Sequence, residues 1–200
     1  MKRPTMHDFF QFFRDIPTGF VGSVREFRRL PNLAGAAMIL GISVVLSYFT
    51  IIVSPTLQIG FSYLATALLG MIFGPVMGSV AAGLGDIIKF IIKPTGIFFP
   101  GYTLTAMVGG LIYGLFFYKN KVTITRCILA KLLINLLANL GLNTLWSYIL
   151  TGKAFWVIMQ PRIWKNIGML PVEIILLYVV LKAISQLLPR VSRHYIQMPK

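Results

Sequence analysis

Gln160-Pro161-Arg162-Ile163-Trp164-Lys165-Asn166 leads straight into an apolar run from Ile167 to Leu188. Two cations, an indole and two amides stand at the mouth of a segment long enough to cross a bilayer, and Glu173 lies near its start. Placing such groups against lipid is costly, so the stretch is expected to face something else.

The rest of the chain is equally apolar. Of 200 residues 56% are hydrophobic and 12% charged, and the mean hydropathy of +0.79 far exceeds what a soluble core needs. The fold class predicted is all-α, an integral membrane bundle of six helices with short loops. The net charge of +14 sits at the ends and in connections, which fits membrane topology rather than nucleic-acid binding. The lone Cys127 excludes an intrachain disulfide framework and a multi-cysteine metal site, and reads as a small buried hydrophobe. His7 and His194 lie in the tails, and no HExxH, GxSxG or phosphate-binding loop occurs. Neither cofactor nor metal is expected, and ATP-driven work falls to another chain. No secretory signal is expected, because the first membrane-length run begins near Leu33.

Residues 1–32 mix phenylalanines with Lys2, Arg3, Arg14, Arg25, Arg28 and Arg29, a pattern for amphipathic helices lying in the interface. The bundle is assigned to 33–188 and a basic tail to 189–200. The first span reads Leu33 to Val53, stopped by Ser54-Pro55, with Thr56 to Phe61 an extended loop. Ser62 to Phe73 gives a short second helix closed by Gly74-Pro75, and a third runs from Val76 to Ile92 with Gly78, Gly83 and Gly85 allowing close approach. After the rigid aromatic loop Pro94 to Gly101 come a fourth span, Tyr102 to Tyr118, and a fifth, Thr123 to Leu150. Thr151 to Lys165 is read as the connection to the sixth.

Charge orients the bundle. The N-terminal cations, Lys119, Lys121, Arg126, Lys182, Arg190, Arg193 and Lys200 fall on one side, and Lys89, Lys93, Lys153, Arg162 and Lys165 on the other. The positive-inside rule makes both termini cytoplasmic. Five external cations then call for an explanation, either an anionic ligand or lipid phosphates.

Counting residues from the predicted helix ends places Asp86, Asn143 and Glu173 in one layer, with Asn139 a turn below. Asn135, Asn139 and Asn143 recur every four residues and share a face, which serves either interhelical hydrogen bonding or a binding wall. Asp86 and Lys89 are either a neutralising pair or part of that wall. Phe98, Phe99, Tyr102, Phe155, Trp156 and Trp164 either sandwich a flat ring or form an interfacial belt. Together these groups describe a pocket for an amphipathic ligand, heteroaromatic at one end and anionic at the other.

Phe73-Gly74-Pro75, Gly85-Asp86, Pro94-Thr95-Gly96 and Phe99-Pro100-Gly101-Tyr102-Thr103-Leu104 resemble the substrate-binding S components of energy-coupling factor (ECF) vitamin transporters. Leu142-Asn143-Thr144-Leu145-Trp146, Pro161-Arg162-Ile163-Trp164-Lys165-Asn166 and Leu170-Pro171-Val172-Glu173 resemble their folate-specific branch. The resemblance covers roughly residues 30 to 188. It implies a multi-pass protein of a bacterial cell membrane that captures folate or a related pterin outside and works with a transmembrane coupling subunit and two cytoplasmic ATPases. It further implies small residues on the first helix, here Ala37-x-x-x-Gly41, in contact with that coupling subunit. On this reading Arg162, Lys165 and Lys153 meet the glutamate carboxylates, and Asn143, Asp86, Asn166 and Glu173 meet the pterin. Gln58 touches ligand from the first loop. The rivals are an S component for another vitamin or precursor, such as pantothenate or a deazapurine, an intramembrane enzyme using Asp86 and Glu173 as an acid pair, and a scaffold with no ligand.

Overall fold

The computed structural model describes residues 30–49, 51–54, 57–94 and 97–196, with side chains from 30–49, 60–94 and 97–187. The interfacial helices expected before Leu30, and the side chain of Gln58, lie outside the described residues. Among the described residues, five helices are long and apolar enough to cross a membrane.

Helix α1, Leu30–Tyr48, carries no charge and its 19 residues span about 28 Å, close to the thickness of the hydrocarbon core. It ends earlier than Val53. The β-branched run Ile51-Ile52-Val53 forms strand β1, Ile51–Ser54, paired antiparallel with β2, Leu57–Ile59, in the register Ile51 to Ile59. The segment read as an extended loop therefore holds the second strand of an antiparallel pair, since β-branched residues fit a pleat better than a helix end.

Helix α2, Ser62–Ile92, reverses direction at Gly74, whose φ of 87° lies where a side chain would be strained. Pro75, which has no amide hydrogen, starts the returning arm. The reversal is a true fold-back, because a Cβ placed on Gly78 would lie 2.9 Å from the Gly70 Cα. Helix α3, Pro100–Phe117, begins with proline at its first position and packs into the hairpin through glycine. A Cβ on Gly70 would meet the Gly114 nitrogen at 2.6 Å, one on Gly110 would strike the Gly78 carbonyl, and one on Gly114 would strike Pro75. Backbone on backbone is how helices pack tightly where no hydrophobic force separates protein from lipid.

The next span is broken in a way that its sequence does not announce. Helix α4, Ile124–Ile134, passes into a π-helix, Asn135–Leu142, and then into α5, Asn143–Thr151. Gly152, with φ 63°, caps α5 in the left-handed conformation and gives its N–H to the Tyr148 carbonyl.

Helix α6 runs from Phe155 to Ile196. The connection is thus only 152–154, and the stretch Gln160 to Asn166 is helical. At 42 residues α6 is about 63 Å long, more than a tilted helix can hide in a bilayer core of about 30 Å, so part of it stands outside the hydrocarbon. It also continues through most of the range assigned to a tail. One buried core joins α2, α3, α4 and α6 through Met71, Tyr113, Phe117, Cys127, Leu177 and Leu181, and another joins α1 to α2 through Ala36, Leu69 and Phe73.

Candidate functional site

A cavity of about 540 Å3 opens between α2 and α3 on one side and α4 to α6 on the other. The outer end is bordered by Lys93 and by Ile97 and Phe98, which are 80% and 43% exposed. The inner end is bordered by Tyr113, Lys131 and Glu173, which are 2%, 3% and 8% exposed.

Because α6 is helical across the opening stretch, its residues diverge by helical phase. Arg162, Lys165 and Asn166 share the inward face and line the cavity. Trp164 faces away at 71% exposure and does not line it. Phe155 and Trp156 stack edge to face with one another, ring centroids 6.3 Å apart, and Lys153 is exposed on the short link; none of the three lines the cavity. Of the aromatics read either as a ring sandwich or as an interfacial belt, Phe98, Phe99 and Tyr102 line the cavity, while Phe155, Trp156 and Trp164 stand outside its lining, where a belt would put them.

Asp86, Asn139, Asn143, Phe98, Phe99, Tyr102 and Glu173 do line the cavity. Phe99 packs against Trp146, centroids 5.5 Å apart, and Trp146 Nε1 donates to Thr105 Oγ1 at 3.0 Å. Thr103 donates to Asp86 Oδ2 at 2.8 Å. The Tyr102 hydroxyl is 2.9 Å from Ser147 Oγ, which accepts from Arg162 Nη2 at 2.7 Å. Arg162 Nη1 donates to the Asn139 carbonyl at 3.5 Å. At 9% exposure Arg162 is a buried strut and not a rim cation. Lys89 and Lys93, from the end of α2, complete the positive border of the cavity with Lys165.

Glu173 is not level with Asn143. It pairs with Lys131 at 3.0 Å, and Lys131 is twelve residues, about three helical turns, before Asn143. The layer count fails because α6 begins at Phe155, eleven residues before the start assumed for it. Asp86, which accepts from Thr103, and Glu173, which pairs with Lys131, thus each have a partner of their own.

Asn139 Nδ2 donates to Asn135 Oδ1 at 2.7 Å, so the expected face serves its own hydrogen bonding at Asn135. One turn further Asn143 presents to the cavity wall a buried Oδ1 without a hydrogen-bond partner, and the buried Tyr113 hydroxyl is unpartnered as well. The π-helix delivers this asparagine series to the cavity, a use of π segments that recurs at functional sites.

The spacing argument missed Lys131, although the signal is present: Lys131 is four before Asn135 and begins the same stripe in the middle of an apolar span. Its ammonium also stands 3.9 Å from the Tyr63 ring centroid. Tyr63, Tyr113 and Ser147 offered no sequence signal that separates them from ordinary core and belt residues.

Residues 32–181 match the family model described as the ECF transporter, substrate-specific component. The chain belongs to this family. An S component of this kind is a substrate-binding membrane subunit and not an enzyme, and several of its helices are apolar enough to cross a membrane. This S component is 39% identical over 151 residues to the folate transporter FolT of Clostridium novyi (strain NT), covering 76% of this chain and 88% of the relative. It is 33% identical over 151 residues to the folate transporter FolT of Leuconostoc mesenteroides, covering 72% and 81%. A solved structure described as FolT bound with folic acid superposes with a TM-score of 0.71 at 32% identity, covering 75% of this chain and 92% of that one.

Proposed function

We propose that this S component captures folate, or a closely related pterin, from the outer face of a bacterial cell membrane and passes it inward with a transmembrane coupling subunit and two cytoplasmic ATPases. The observation that carries the reading is the polarity of the cavity. Hydrogen-bonding groups line its length, Asn143 Oδ1 among them, while Lys89, Lys93 and Lys165 add positive charge to the same wall. A ligand with a hydrogen-bonding ring at one end and carboxylates at the other matches that polarity, and the relatives named folate transporter agree with it.

On this reading Lys165 is the principal carboxylate partner, Asn143, Asn166 and Asp86 meet ring donors and acceptors, and Phe98, Phe99 and Tyr102 flank the aminobenzoate. Counting the arms of α2 separately gives six crossings, with both termini cytoplasmic. Ala37 and Gly41 are exposed on α1, and a Cβ on Gly41 would meet nothing within 4 Å, so this face is open to the coupling subunit.

Calorimetric titration of the purified chain in detergent with folic acid tests the proposal, together with mass spectrometry of any small molecule that copurifies. Saturable one-site binding of folate is expected. Failure to bind folate, with pantothenate or a deazapurine copurifying instead, would remove it.

A further inference from the structure

Lys131 and Glu173 stand out as a charged pair, 3% and 8% exposed, at the inner end of the cavity. The lining cations are Lys89, Lys93, Lys131, Arg162 and Lys165, and the lining carboxylates are Asp86 and Glu173. With Glu173 Oε2 at 3.0 Å from Lys131 Nζ, and the Tyr63 ring beneath that ammonium, the pair itself is electrically neutral, and Lys165 is the further lining cation that acts on both members. The outer end keeps a surplus of positive charge. Removing one member of a buried pair exposes the full charge of the other in a poorly screened environment.

We propose that Glu173 acts chiefly as a charge mask on Lys131, and that this masking decides which end of an elongated ligand enters first. A masked inner end accepts an uncharged ring edge. An unmasked Lys131 draws in a carboxylate and competes with the cations at the mouth. Lys131 and Glu173 are thus specificity-determining residues, whether or not either touches ligand. The inference rests on the folate reading.

The test compares two probes of similar size, 6-hydroxymethylpterin and pterin-6-carboxylate, by calorimetric competition with folic acid on the purified full chain. Glu173→Gln is expected to move the affinity ratio at least tenfold toward the acid, and Lys131→Met to move it away from the acid. The charge-swapped double variant Lys131→Glu with Glu173→Lys, neutral overall, is expected to keep a ratio within threefold of the original, and it carries the test if the single variants do not fold. Equal displacement in both single variants, ratios that stay within threefold in both, or a swap that departs by more than tenfold would overturn the inference. If the unaltered chain binds neither folic acid nor either pterin, the folate reading fails as well. If it binds folic acid and only the ratios disagree, masking alone fails.

Discussion

Arg162 Nη2 donates to Ser147 Oγ at 2.7 Å, and the same oxygen lies 2.9 Å from the Tyr102 hydroxyl, so one guanidinium joins α6 to α5 and, through that serine, to α3. This tie lies in the wall of the cavity where two helices otherwise meet across it. A bidentate-capable, always charged fork suits the position better than a flexible ammonium.

Arg162→Ala is therefore expected to loosen the wall itself. It should lower stability by about 1.5–3 kcal/mol, the range for a hydrogen bond to a charged group, and weaken folate and a pterin lacking glutamate to the same degree. Thermal melting in detergent and paired calorimetric titrations check both parts.

Lys165→Ala should behave differently, because Lys165 is half-buried at the cavity border. Loss of one carboxylate partner is expected to cost about tenfold in folate affinity, about 1.4 kcal/mol, with little change for the pterin fragment. Equal losses for the two ligands would remove the carboxylate assignment.

Asn143→Ala separates binding from folding. Its Oδ1 is buried with no hydrogen-bond partner among the described residues, so deleting the side chain should leave the melting temperature of the chain without ligand unchanged or slightly raised. Folate affinity should fall by about tenfold or more, since a ring group then loses its buried partner. Melting curves with and without folic acid read both effects.

Gly110→Ala should fail to give a stable protein, because the added carbon strikes the Gly78 carbonyl, which is backbone and does not yield. Gly41→Ala meets open space and should melt normally. Gly41→Trp is expected to retain folate binding in the isolated chain and to abolish uptake when the coupling subunit and ATPases are coexpressed. Intact uptake would place the docking face elsewhere.

Much of this arrangement was legible before any coordinates, for identifiable reasons. Gly74-Pro75 has one local meaning, a break that permits a reversal, and the short helix before it and the longer one after it appear as read. The small residues Gly78 and Gly83 do meet backbone or side chain at close range, against Gly70 and Met107. Where α6 begins was not legible, because Pro161 and the polar cluster around it look like a connection, and packing against α5 overrides that local preference. That single boundary shifts Glu173 relative to Asn143 and turns Trp164 outward. The π-helix was equally hidden, since hydrogen-bond register within an apolar helix leaves no mark in composition. Lys131 could have been found, because its place in the four-residue stripe is written in the chain.

The eight residues Asn135–Leu142 hold one consequence that reaches past this protein. A π segment carries surplus chain in each turn, so deleting a single residue there could let the span relax into ordinary α-helix. The residue lost is largely offset by the tighter winding of the α-helix, so Asn143 and Ser147 would nearly keep their facing relative to Lys131, while the side chains within the segment, Asn139 among them, would be re-aimed. One codon lost at this point would re-aim the side chains of that turn alone, without disturbing the glycine-packed half, a short evolutionary route from one cargo to another on an unchanged scaffold.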